Sequence, residues 1–193
     1  MRRIIAGLIA LAFLLSASSA WAIQGYKDRH GFFVGGGVGG GPGAVHHGDD
    51  AFETGIERGG AFGFAPHLVI GGGATDNLVF GAELNNWIHL TDVHSNRVNH
   101  QQWSANAMAN IFIVHGLYLD AGLGLGYAFT DTVTASGETS RHQELGLSTK
   151  LGLGIEYFLD GTIAAGMRFG YTRHFYRMVD FDTLVGNVYL RWY

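Results

Sequence analysis

Cysteine is missing from this 193-residue chain, proline occurs only twice, and Asp, Glu, Lys and Arg together make up 15% of it. Without cysteine there is no disulfide to staple the fold and no thiol to carry a lipid at a processed N-terminus. Positive charge is scarce as well. With Arg2 and Arg3 set aside, 10 basic residues stand against 16 acidic ones, a net charge of −6, which argues against nucleic acid as a partner. The apolar run from Ile4 to Leu15 is too short to cross roughly 30 Å of hydrocarbon as a helix.

That run follows Arg2 and Arg3 and precedes the small residues of Ser16 to Ala22, with Ala20-Trp21-Ala22 matching the A-x-A cleavage pattern. Residues 1–22 therefore read as a secretory signal peptide, with a mature chain of residues 23–193 that begins at Ile23 and is long enough for one domain. Export without cysteine suits a bacterial periplasmic or outer-membrane destination.

What the chain does have is glycine, 31 residues of it, placed mostly on one parity of alternating segments. From Glu144 to Tyr157, the residues Leu145, Leu147, Thr149, Leu151, Leu153, Ile155 and Tyr157 alternate with Glu144, Gly146, Ser148, Lys150, Gly152, Gly154 and Glu156. Period two means a β-strand. Its apolar face is bulky and its other face is small, with charges of both signs, which is the inside-out pattern of a strand whose apolar side meets lipid.

Eight segments follow this rule: Gly31–Gly41, Ala61–Gly73, Leu78–His89, Gln101–Val114, Leu117–Phe129, Glu144–Tyr157, a seventh from Ile163, and Thr183–Tyr193. Each is about as long as a tilted strand needs to be to cross a bilayer. Short turns at Ala74–Asn77, His115–Gly116 and Leu159–Gly161 alternate with long polar connections at Pro42–Gly60, Leu90–His100, Thr130–Ser140 and Tyr176–Asp182. The expected fold is an all-β, eight-stranded, antiparallel, up-and-down transmembrane barrel with short periplasmic turns and long external loops. Trp87, Trp103, Phe129, Tyr171 and Phe175 are expected at its outer rim, and Phe32, Tyr118, Tyr157, Phe158 and Trp192 at its inner one. Pro66 lacks an amide hydrogen and a closed barrel has no edge to hide it on, so a bulge is expected there. A soluble eight-stranded ligand binder would reverse the polarity of the faces.

The alternating strands, the turn Thr75-Asp76-Asn77-Leu78 and the terminal Leu190-Arg191-Trp192-Tyr193 resemble the small outer-membrane β-barrel family of the outer-membrane protein A and X type. The resemblance implies an outer-membrane location among lipid and lipopolysaccharide. It also implies insertion by the barrel assembly machinery, with Leu190, Trp192 and Tyr193 as the terminal signal. Family members end in a Tyr-Arg-Phe kind of pattern, and here Tyr193 overhangs by one residue.

Parity turns Glu83, Asp120, Glu144, Lys150, Glu156, Arg168 and Arg191 inward, where charges must pair across the lumen or cost several kcal/mol, about the penalty for an uncompensated buried ion. This predicts a plugged lumen and a structural or surface-contact role; a small-solute channel is the alternative. Gly35-Gly36-Gly37-Val38-Gly39-Gly40 matches G-x-G-x-x-G, but no helix follows to hold a phosphate, so no cofactor is expected. His46, His47, Asp49 and Asp50 in the first long loop are candidate ligands for a divalent cation. Asp92, His94 and Ser95 raise the possibility of a lipid A-modifying deacylase or acyltransferase. His94-Ser95-Asn96, however, lacks the two-residue spacing that puts a base and a nucleophile on one strand face.

Overall fold

The computed structural model describes residues 29–47, 60–93, 96–114, 116–177 and 179–193. The strands are β1 (Gly31–His47), β2 (Ala61–Phe64), β3 (His67–Thr75), β4 (Leu78–Val93), β5 (Asn96–Val114), β6 (Leu117–Val133), β7 (Thr139–Phe158), β8 (Ile163–Phe175) and β9 (Asp180–Trp192). All neighbours are antiparallel, and β1 also pairs with β9, so the sheet closes on itself. β2 and β3 both lie between β1 and β4 as two halves of one stave, which makes eight staves from nine strands.

The expected bulge at Pro66 is absent. Gly40 pairs with Phe64 and Gly37 with His67 on one side, Ile88 with Phe64 and Asn85 with His67 on the other, so no residue is added. The Ala65 amide donates to the Gly39 carbonyl at 2.8 Å and the Asn86 amide to the Pro66 carbonyl at 3.0 Å. A hydrogen-bonded antiparallel pair exchanges two bonds. Pro66 can only accept, so the sheet loses one rung there and keeps its register. The register does shift elsewhere, between Val45 and His47, Gly73 and Thr75, and Phe112 and Val114.

Strands run further than the apolar alternation indicates. The β4–β5 ladder continues to Val93 opposite Asn96, and the β6–β7 ladder to Val133 opposite Thr139. Most of Leu90–His100 and Thr130–Ser140 is therefore hairpin and not loop. Past the lipid band both faces meet water, so hydrophobic periodicity ends before the hydrogen-bond ladder does. At the opposite end, Asp160 Oδ1 accepts from the amides of Thr162 and Ile163, both at 2.7 Å, and this closes the β7–β8 turn.

The faces are as the alternation predicts. Leu145, Leu151, Phe169 and Leu190 are exposed while Ser148, Lys150, Glu156 and Arg191 are buried. Three expected rim aromatics are placed differently: Trp87 and Tyr118 are buried inside the barrel, and Phe158 turns inward onto Tyr193 and Arg29. Each occupies the parity opposite to the outward set of its strand, and an aromatic near a strand end follows parity before interfacial preference.

Glycines on the inner face seat these rings. A Cβ on Gly154 would lie 2.1 Å from the Tyr118 ring, one on Gly166 2.4 Å from that of Tyr189, and one on Gly63 2.3 Å from that of Trp87. Gly35–Gly40 lies within β1, in keeping with a packing role. The interior is layered. Phe33, Val69, Val79, Met108, Phe112, Tyr118 and Tyr189 cluster at the short-turn end, and Ala65, Trp87, Ala128, Tyr176, Val179 and Phe181 at the long-loop end. Polar and charged side chains fill the space between.

Candidate functional site: the barrel lumen

Four strands project charge into the middle layer: Glu83 from β4, Asp120 from β6, Lys150 from β7 and Arg168 from β8. Lys150 Nζ bonds to Glu83 and lies 2.7 Å from Asp120 Oδ2. Arg168 bonds to Glu83 through Nη2 and places Nη1 3.7 Å from Asp120 Oδ2. Arg168 also donates to Asn85 Oδ1 at 3.0 Å and Asn187 Oδ1 at 3.4 Å. Two cations thus neutralise two carboxylates, with two amides taking further guanidinium hydrogens, which is the condition under which buried charge is tolerated.

A second cluster surrounds Glu156 at the short-turn end. Its Oε1 takes Arg29 Nε at 3.2 Å and the Tyr193 hydroxyl at 2.7 Å; its Oε2 takes Arg191 Nη1 at 2.9 Å and the Tyr189 hydroxyl at 3.2 Å. Asn110 joins the two clusters, donating to Asp120 Oδ1 and accepting from Arg191 Nη2, each at 3.1 Å. Of the seven inward charges expected from sequence, six therefore form one connected network. Glu144 stands apart at the outer rim, where it accepts the Arg177 backbone amide at 2.7 Å. It has the inward parity, but lies beyond the depth at which the lumen is closed on all sides.

Sequence reading missed Arg29 and the inward turn of Tyr193. Arg29 precedes the first strand and has no parity to read. Tyr193 follows the last one, and its ring packs on Phe33 and Phe158 at centroid distances of 5.5 and 5.3 Å. Leu190 and Trp192, by contrast, face outward as expected.

Toward the long-loop end, His100 is bonded on both ring nitrogens, to Thr130 Oγ1 and to the Gln102 amide nitrogen, each at 2.7 Å. The Tyr176 hydroxyl donates to Gln102 Oε1, and Trp87 Nε1 donates to the Gly41 carbonyl at 3.0 Å. His174 stacks on Tyr176 with ring centroids 5.8 Å apart. Between this lid and the charges is a hollow of about 30 Å³ lined by Asn86, Ser104, Lys150 and Arg168 among others. A hollow of about 560 Å³ lies instead over outward residues such as Val38, Met167 and Leu190, where lipid packs.

Asp92 is exposed near the end of β4, opposite Arg97, while His94 and Ser95 lie outside the described residues. So do Asp49, Asp50, the side chains of His46 and His47, and the signal segment 1–22. Among the described residues no group of three or more His, Cys, Asp or Glu is placed to hold a metal ion.

Solved structures share this fold. Ail, the attachment invasion locus protein of Yersinia pestis, determined in complex with the heparin analogue sucrose octasulfate, aligns with a TM-score of 0.61 at 12% identity, covering 83% of this chain and 99% of that one. Neisserial surface protein A aligns with a TM-score of 0.56 at 14% identity, covering 83% and 96%. At such identities the likeness is one of fold. No curated protein sequence matches the chain. The family model for the outer membrane protein beta-barrel domain matches residues 8–191. With a lipid-facing apolar surface, a ring-closed sheet and that match, the chain belongs to the outer membrane protein β-barrel family and resides in the bacterial outer membrane.

Proposed function

We propose that this barrel is a closed, non-enzymatic membrane element whose contribution is surface contact or envelope integrity and not transport. The observation that carries this reading is the filling of the lumen: a connected charge network, in which Glu83, Asp120 and Glu156 meet Lys150, Arg168, Arg191 and Arg29, packs with an inner and an outer apolar layer, and the hollow beneath the outer one is small. An ion on the axis would have to part Glu83 from Lys150 and Arg168 and also displace Trp87 or Tyr118. An eight-stranded barrel is narrow enough for side chains to do this filling.

The surface role rests on the β4–β5 and β6–β7 hairpins, which continue beyond the apolar band with polar side chains. Ail was determined with a sulfated saccharide analogue; in this chain the exposed Arg141 and the half-buried Arg173 are held by Asp131 and by Asp180, while Arg97 and Arg177 are exposed as well. Lipopolysaccharide and envelope proteins are the partners this reading favours. Residues 1–22 serve as the export signal. Outward Leu190 and Trp192 remain in place to be read by the assembly machinery, whereas Tyr193 belongs to the interior.

Planar-bilayer recording tests the closed lumen. The purified protein should give no stable, large openings, and ion-selective conductance at the single-molecule level would refute the reading. Absence of acyl release or transfer on lipid A tests the non-enzymatic part.

A further inference from the structure

Arg29 and His30 lie before β1, yet Arg29 is buried. Its guanidinium sits 3.7 Å from the centroid of the Phe112 ring and 5.4 Å from that of Phe158, with Nε on Glu156. Several independent features hold this short segment across the inner mouth of the barrel. Gly31 turns it into β1 with φ of +99°, a backbone conformation that glycine adopts without strain. Gly73 leaves room beneath it, since a Cβ there would lie 1.8 Å from the Arg29 carbonyl oxygen. His30 Nδ1 is 3.1 Å from Asp76 Oδ1 on the β3–β4 turn.

We propose that residues 29–30 form a strap across the periplasmic mouth, with the Arg29 side chain as the bolt that seals the lumen floor. The rest of the floor comes from the closed sheet and its last residue: Glu156 on β7, Tyr189 and Arg191 on β9, two strands held together through β8, and Tyr193 just after β9. Among the described residues Arg29 is the member that precedes the first strand. It brings a positive charge to a carboxylate that Arg191 already neutralises, and it places a flat cation between two rings. Its chemistry thus suits removable closure better than indispensable charge balance. Pulled from the mouth, the strap would uncover the inner apolar layer and give periplasmic solutes access as far as the charge network, and no further.

The absence of native cysteine makes this testable by single-site labelling. Val79→Cys places a thiol in the inner layer, and Val98→Cys places one at the buried outer end of β5; both valines are almost wholly buried. Each is paired with Arg29→Ala and, separately, with Gly73→Ala, which displaces the strap without touching its side chains. Folding is checked by heat-modifiable migration in detergent gels. The probe is a small cationic methanethiosulfonate reagent. The strap predicts that labelling at position 79 speeds up tenfold or more in both folded variants while labelling at position 98 changes less than twofold. Unchanged rates at position 79 in either folded variant, or equal acceleration at both positions, would overturn the proposal; equal acceleration would mean general loosening in place of an opened floor. Conductance in the parent protein would refute the closed lumen without bearing on these ratios.

Discussion

Removing Arg168 tests the middle layer directly. Its guanidinium touches Glu83 and Asp120 and donates to Asn85 and Asn187, and it is almost fully buried. In Arg168→Ala, Lys150 alone must serve two carboxylates, so the cluster carries an uncompensated negative charge and two side-chain amides each lose a donor. Breaking a buried pair costs about 3 to 5 kcal/mol, and because Lys150 and Asn110 stay in place the expected loss is about 3 kcal/mol. Urea unfolding of the barrel in lipid vesicles, followed by tryptophan fluorescence, reads this as a lower midpoint at unchanged slope. Two controls frame the result. Arg141→Ala removes an exposed arginine bonded to Asp131 at 2.6 and 2.9 Å and should leave the midpoint where it is, because solvent screens that pair. Adding Glu83→Gln to Arg168→Met removes one charge of each sign and should restore most of the stability. If Arg168→Ala were as silent as Arg141→Ala, or if the double change were worse than the single one, the account of the lumen as a mutually compensated charge layer would be wrong.

Other changes address the two faces and their packing. Leu151→Arg, on the outward face of β7, should destabilise the barrel in lipid by about 2 to 4 kcal/mol, whereas Ser136→Ala at the β6–β7 tip should be silent in the same titration; equal effects would mean the faces are misassigned. Gly154→Val drives a side chain into the Tyr118 ring and should cost about 1 to 3 kcal/mol from overpacking. Tyr118→Ala in that background should recover part of the loss, and no recovery would separate the two positions. The protein should fractionate with outer membranes and require detergent to stay in solution; recovery of a folded form from the soluble periplasm would contradict the lipid-facing surface.

Fold and location were legible in the sequence because a membrane barrel writes its surface into every second residue. Leu145 to Tyr157 alone specify strand, face and polarity. The charges Glu83, Asp120, Lys150, Glu156, Arg168 and Arg191 were readable as inward by the same parity, but not their partners. Which carboxylate meets which cation depends on stagger between strands, and alternation carries no stagger. Strand ends were also hidden, since β4, β5, β6 and β7 continue where both faces are wet. Pro66 misled because a missing amide removes one bond without adding a residue, so no bulge is needed there. Arg29 and Tyr193 lie just outside the repeating pattern, where only three-dimensional closure shows that they point at Glu156.

Between Phe33 and Val45 the inner face of β1 is bare, with a consequence for how the ring comes together. Gly35, Gly37, Gly39, Gly41 and Gly43 offer no side chains of their own, and the space beside them is taken by Tyr189, His67, Trp87 and Phe181 from elsewhere in the chain. β1 has little to hold it before those groups are in place, and its partner β9 is nearly the whole chain away, with Val34 opposite Trp192. The sequential hairpins from β4 to β9 close short loops and gain their contacts early, whereas the β1–β9 seam carries the largest loop-closure entropy. Joining that seam is then the slow step of assembly, and the glycine strand behaves as the slide of a zipper whose teeth all belong to its neighbours.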